Sequence, residues 1–135
     1  MSSYLNIYGI LKEDKKKKPL LLTSYSRSDD LYSDFQEEGV AYIGNLEENY
    51  TEINKDMTAN ILRDLNSDIK NSERRLVEYE KYATNNPEYI TDIISTKEYL
   101  EDLKRRYHIV EFIDDLVRNT EYDYIPFEKY VANID

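Results

Sequence analysis

Two rhythms of apolar residues divide the chain. Over residues 4–11 the alternation is twofold, with Leu5, Ile7 and Gly9 on one side and Tyr4, Asn6, Tyr8 and Ile10 on the other. That is the period of a half-buried strand. A charged run at residues 12–18 interrupts it, and Pro19 reopens an apolar stretch over residues 20–25. Two strands joined by a polar loop predict an antiparallel hairpin. Ser28 then suits a helix N-cap, with Asp29 and Asp30 in the first turn, an apolar stripe of Leu31, Tyr32 and Phe35, and Gly39 as the residue after the C-cap. Residues 40–43, ending at Gly44-Asn45, read as a third strand, and residues 50–53 as a short fourth. The expected head is ββαβ.

From residue 54 the rhythm changes to threes and fours. Met57, Ile61, Leu62, Leu65, Ile69, Leu76, Tyr79 and Ala83 mark one amphipathic helix over residues 54–83. Ile90, Ile93, Ile94, Leu100, Leu103, Tyr107, Val110, Ile113 and Val117 mark a second over residues 87–118. Between them Asn86 suits an N-cap and Pro87 a first helical position. Each helix comes to about 45 Å at 1.5 Å per residue. So short a link between matched helices predicts an antiparallel pair. Glu101 with Arg105 and Asp102 with Arg106 read as i,i+4 pairs on an exposed helix.

Folding the two helices about residue 85 sets Ser72 opposite Thr96 and Lys97, a polar interruption of the seam. It is either a packed layer that sets register or a point where the helices splay. Close packing there predicts that Ser72→Leu stabilises the hairpin, and splaying predicts little effect. Residues 120–135 read as an extended segment followed by a short helix over residues 128–134, with Phe127, Val131 and Ile134 on one face. The expected class is α+β: a small antiparallel sheet (ββαβ head, residues 1–50), a long antiparallel two-helix hairpin (51–119), and a short C-terminal segment (120–135) docked on the head, in one structural unit.

Composition narrows the chemistry. No cysteine is present, which removes thiolate metal sites, disulfides and cysteine nucleophiles. The single histidine, His108, has no second His or Cys to share a metal and reads as surface or edge packing. Three glycines in all leave no phosphate-cradling loop. The adjacent acids Asp29-Asp30, Glu37-Glu38, Glu47-Glu48 and Asp114-Asp115 read as solvated faces. No catalytic residue, metal ligand or cofactor site is expected, and the chain is expected not to be an enzyme. The absence of a long apolar run and of a leader-like start points to a cytoplasmic protein without membrane contact.

The net charge of −10 is spread as −3, −4 and −3 over the three segments, a field that repels nucleic-acid backbones. The basic residues 15–18 are the exception, able to touch phosphates or an acidic partner. Fourteen tyrosines without a tryptophan favour contact surfaces, because a tyrosine pairs a rigid apolar ring with a polar tip. Tyr79, Tyr82, Tyr89, Tyr99, Tyr122 and Tyr124 are the candidate partner-binding residues.

The expected function is a non-enzymatic interaction or regulatory protein, binding a protein partner or a second copy of itself through hairpin and head. The alternative is an acidic, phage- or mobile-element-type mimic of nucleic acid that inhibits a DNA-binding protein or nuclease. Basic residues interleaved with the acids of the hairpin weigh against the mimic.

Overall fold

A computed structural model describes residues 3–42 and 49–135. In chain order it holds β1 (Tyr4–Leu11), β2 (Leu20–Ser26), α1 (Asp30–Glu37), β3 (Thr51–Glu52), α2 (Lys55–Ala83), α3 (Tyr89–Arg118) and β4 (Phe127–Ile134). The fold is α+β, a four-stranded antiparallel sheet with a long helical hairpin. Two compact units divide the chain. One comprises Met1–Ile61 and Glu111–Asp135, the other Leu62–Val110, so each long helix contributes to both.

In the first unit the strand order is β2-β1-β4-β3. The expected hairpin of β1 and β2 is present, with a bulge where Leu21 and Leu22 together oppose Tyr8. The C-terminal segment departs from expectation. Residues 128–134 form strand and not helix, because β4 lies between β1 and β3 and bonds to both. Tyr130, Val131, Ala132, Asn133 and Ile134 are all buried there, on both faces of the strand. A strand covered on both faces loses the apolar–polar alternation that would announce it. The same residues spaced by threes and fours imitate a helical stripe.

The third expected strand contracts to a single bridge from Tyr42 to Ile134, while Ile43, Gly44, Asn45, Glu47 and Glu48 lie outside the described residues. The fourth is β3. Helix α1 is capped one residue later than expected: the Asp29 carboxylate accepts from Leu31 N–H at 3.0 Å. Its end follows expectation. Gly39 takes φ +104°, Gly39 N–H donates to Gln36 and Val40 N–H to Phe35, a Schellman closure with Val40 and Phe35 both buried.

One sheet face packs into the apolar core of this unit, where Leu5, Ile7, Ala132 and Ile134 meet the buried Leu31, Phe35 and Ile53. The other face carries a polar ladder. Ser24 Oγ donates to Asn6 Oδ1 (2.7 Å), and Asn6 Nδ2 donates to Asn133 Oδ1 (3.1 Å) and Asp135 Oδ2 (2.9 Å). Asn6 and Asn133 are buried and opposite each other, so a one-residue slip of β4 would turn Asn133 into the apolar core and leave the buried Asn6 without it.

Asn54 caps α2, its side chain accepting from Met57 N–H at 2.9 Å. The acids at residues 114 and 115 part company. Asp115 is exposed, whereas Asp114 accepts from the fully buried Thr58 hydroxyl at 2.6 Å and from Arg118 Nε at 2.9 Å, so it is no solvated face.

In the second unit the seam runs through Leu65 and Ser72 of α2 and Thr96, Leu100, Leu103, Arg106 and Val110 of α3, all buried. Ser72 is 2% exposed and Thr96 8%, while Lys97 is exposed. A side chain as short as serine is covered that fully only where the opposing side chains close over it. The interruption is a packed layer, not a splay. Arg106 replaces Tyr107 as the inward residue and is buried against Asp102, Nε to Oδ2 at 2.9 Å. The expected Asp102–Arg106 pair is thus present, and Arg105, expected to pair with Glu101, bonds the same Asp102 carboxylate at 2.9 Å.

Candidate interaction surface

The end of the hairpin in the second unit is built by its turn. Asn85 and Asn86 N–H and the Asn86 side-chain amide all donate to the Tyr82 carbonyl, at 3.3, 3.1 and 3.2 Å. Asn86 thus closes α2 and leaves α3 to open on two i→i+3 bonds, Tyr89 N–H to Asn86 and Ile90 N–H to Pro87. The second helix starts at Tyr89, two residues later than expected, after a turn at residues 87–88.

That closure brings three of the candidate tyrosines together. Tyr89 stacks on Tyr79 (centroids 6.0 Å, planes 29° apart) and lies against Tyr82 (5.6 Å, 42°). Offset and tilted aromatic pairs of this kind hold one another in place at little entropic cost. Tyr82 stays half exposed, and beside the turn Ile90 and Ile94 are each 53% exposed.

The other candidates are elsewhere. Tyr99 sits ten residues along α3 from Tyr89, about 15 Å of helix away. Tyr122 and Tyr124 belong to the first unit, where their rings stack at 5.5 Å and 18° and remain exposed. No protein-family model, no curated protein and no solved structure matches the chain. The surface is therefore read from its own residues.

Sequence reasoning assigned Ile90 and Ile94 to the seam and missed their exposure. The helical wheel holds the signal: Thr96, Leu100 and Leu103 lie within about 60° of one another, while Ile90 and Ile94 fall more than about 100° from Thr96 at 100° per residue. Ile90, Ile93 and Ile94 share one arc of the helix, but it is centred about 110° from Thr96 and so is not the arc of the seam. For Arg106 the pairing with Asp102 was legible and only its burial was missed, since a charge on an apolar arc reads as an edge residue.

In the first unit, the basic residues 16–18 border an open groove of about 760 Å³ floored by Ile10 and Val131, with Lys129 on its rim. Asp14 shapes this loop by accepting from Lys16 and Lys18 N–H at 3.0 and 3.1 Å. Lys17, at φ 52°, pairs with Glu128 at 3.1 Å.

Two phenols are perturbed. Burial raises Tyr8, with Tyr50 and Asp135 adding to it against a lowering hydrogen bond from Asn133, and burial raises Tyr130. Both shifts make ionisation harder, and neither prepares a base. Among the described residues no three His, Asp or Glu side chains gather as a metal site, and no helix is long and apolar enough to cross a membrane.

Proposed function

We propose that this chain is a non-enzymatic binding protein whose contact surface for a protein partner is the turn end of the α2–α3 hairpin. The observation that carries the reading is the interlocked Tyr79–Tyr82–Tyr89 cluster bordered by exposed Ile90 and Ile94. Rigid tyrosines beside unsatisfied apolar side chains are the composition of an interface centre. Folding gains nothing by leaving two isoleucines in water at a helix end, where polar residues would serve the helix as well.

Mixed charge favours a protein over a nucleic-acid partner. Within residues 80–94 Lys81 offsets only some of the acids at residues 80, 88 and 92, an environment that repels phosphates and tolerates a basic or neutral protein surface.

A photo-crosslinking residue placed at Tyr82 or Ile90, in the cells the protein comes from, should trap one discrete protein adduct. The same residue at exposed Arg63 should trap none. Equal adducts at both positions, or none at either, would defeat the reading.

A further inference from the structure

The first unit carries a surface anomaly of its own. β2 stands at the edge of the sheet and, among the described residues, pairs with β1 alone. Leu20, Leu21 and Leu22, consecutive on that edge, are 42, 59 and 44% exposed. An edge strand offers a row of unused N–H and C=O groups, and natural sheets blunt such edges with charge, proline or a bulge. Here a bulge at Leu21–Leu22 bends the strand, yet residues 23–26 continue in regular register with β1. No charged side chain interrupts Leu20–Ser26. Among the described residues that edge is unpaired, and its first three residues are apolar.

Charge is arranged around it with opposite signs at the two ends. Residues 15–18 are four consecutive exposed lysines just before β2, anchored in a loop that Asp14 folds. Just after β2, residues 27–38 hold five acids, among them exposed Asp30, against the single Arg27. An antiparallel partner strand of identical sequence would set each basic end beside the other copy's acidic end. Parallel pairing would set lysines on lysines.

We infer that β2 is a self-association edge: two copies of this chain join β2 to β2 antiparallel about a two-fold axis and extend the sheet across both. With the two-fold axis at Thr23, the leucine triplet of one copy lies opposite residues 24–26 of the other, and each copy supplies backbone hydrogen bonds, apolar cover and both signs of the charge match, the self-complementarity that a two-fold interface requires. β2 belongs to the first unit and the hairpin end to the second, and neither proposal depends on the other.

Sedimentation equilibrium of the full chain tests it. The native protein should show a monomer–dimer equilibrium that weakens as salt rises. Leu21→Lys, at a position already facing water, should keep the circular dichroism spectrum and raise the dimer dissociation constant at least about tenfold.

A charge swap supplies a second arm. Lys16→Glu with Lys18→Glu in one variant, and Asp30→Lys in another, should each dimerise more weakly than the native chain. Mixed, they should form a heterodimer tighter than either homodimer, because both ends are then matched. A native protein that stays monomeric, a dimer indifferent to Leu21→Lys, or a mixture no tighter than its parts would each overturn the inference.

Discussion

Gly9 shows how closely single atoms are placed in the sheet. A Cβ built on it would meet the Phe127 ring at 2.5 to 2.9 Å, reaching the ring's inner carbon as well as its edge. Phe127 covers the glycine as a side chain would, and its ring leans on Tyr130 at 5.6 Å. Gly9→Ala should therefore destabilise the fold by about 1–3 kcal/mol through overpacking, despite a backbone that favours alanine. Adding Phe127→Leu should recover part of that loss, and a double-mutant cycle by urea denaturation measures the coupling. Additive losses would show that the contact carries no strain. The same scale explains Thr58 and Asp114. A buried hydroxyl needs an acceptor, and the acid that looked like part of a solvated pair supplies it at 2.6 Å.

At the scale of elements, the helices were the most legible part of the chain. The start of α2 at its Asn54 cap and the ends at Ala83 and Arg118 follow from caps and apolar spacing that act within a few residues, while α3 starts at Tyr89, two residues past the expected proline start. The seam between them was legible in position but not in meaning. Ser72 is buried, which reverses the expected sign of Ser72→Leu: the larger side chain overpacks a covered site and should destabilise the hairpin by about 1–3 kcal/mol. Ser72→Ala, close in volume, should stay within about 1 kcal/mol of the native protein. Thermal unfolding of both variants checks the pair, and a more stable leucine variant would mean a void at the seam. β4 is the element that reasoning from spacing misplaced, because its periodicity is erased by burial on both faces.

Across the whole molecule, the charge of −10 and the many tyrosines set the response to pH. Tyr8 and Tyr130 have phenols raised above the ordinary value of 10.0, chiefly by burial. The unfolded chain releases these protons first as pH climbs past that value, while the native fold still holds them. Stability contributed by the two phenols is thus fully present below pH 10 and is lost as pH rises through their native values. Urea midpoints measured upward from about pH 9 should fall, and Tyr8→Phe should flatten the fall. Tyrosinate absorbance should show these two phenols ionising above the ordinary value of 10.0. A midpoint independent of pH across that range would contradict the assignment.

The candidate surface divides along the same line as the fold. That tyrosines were plentiful, that the helices would meet in a hairpin, and that no thiolate or histidine cluster was available were all present in the chain itself, since composition and short-range spacing fix them without reference to distant residues. Tyr79, Tyr82 and Tyr89 meeting at the turn, β2 at an open edge and β4 between its neighbours were decided only in three dimensions. The physical reason is common to all three. Each depends on which groups cover a residue once segments far apart in sequence have packed, and an apolar side chain carries no local mark of whether it will be covered.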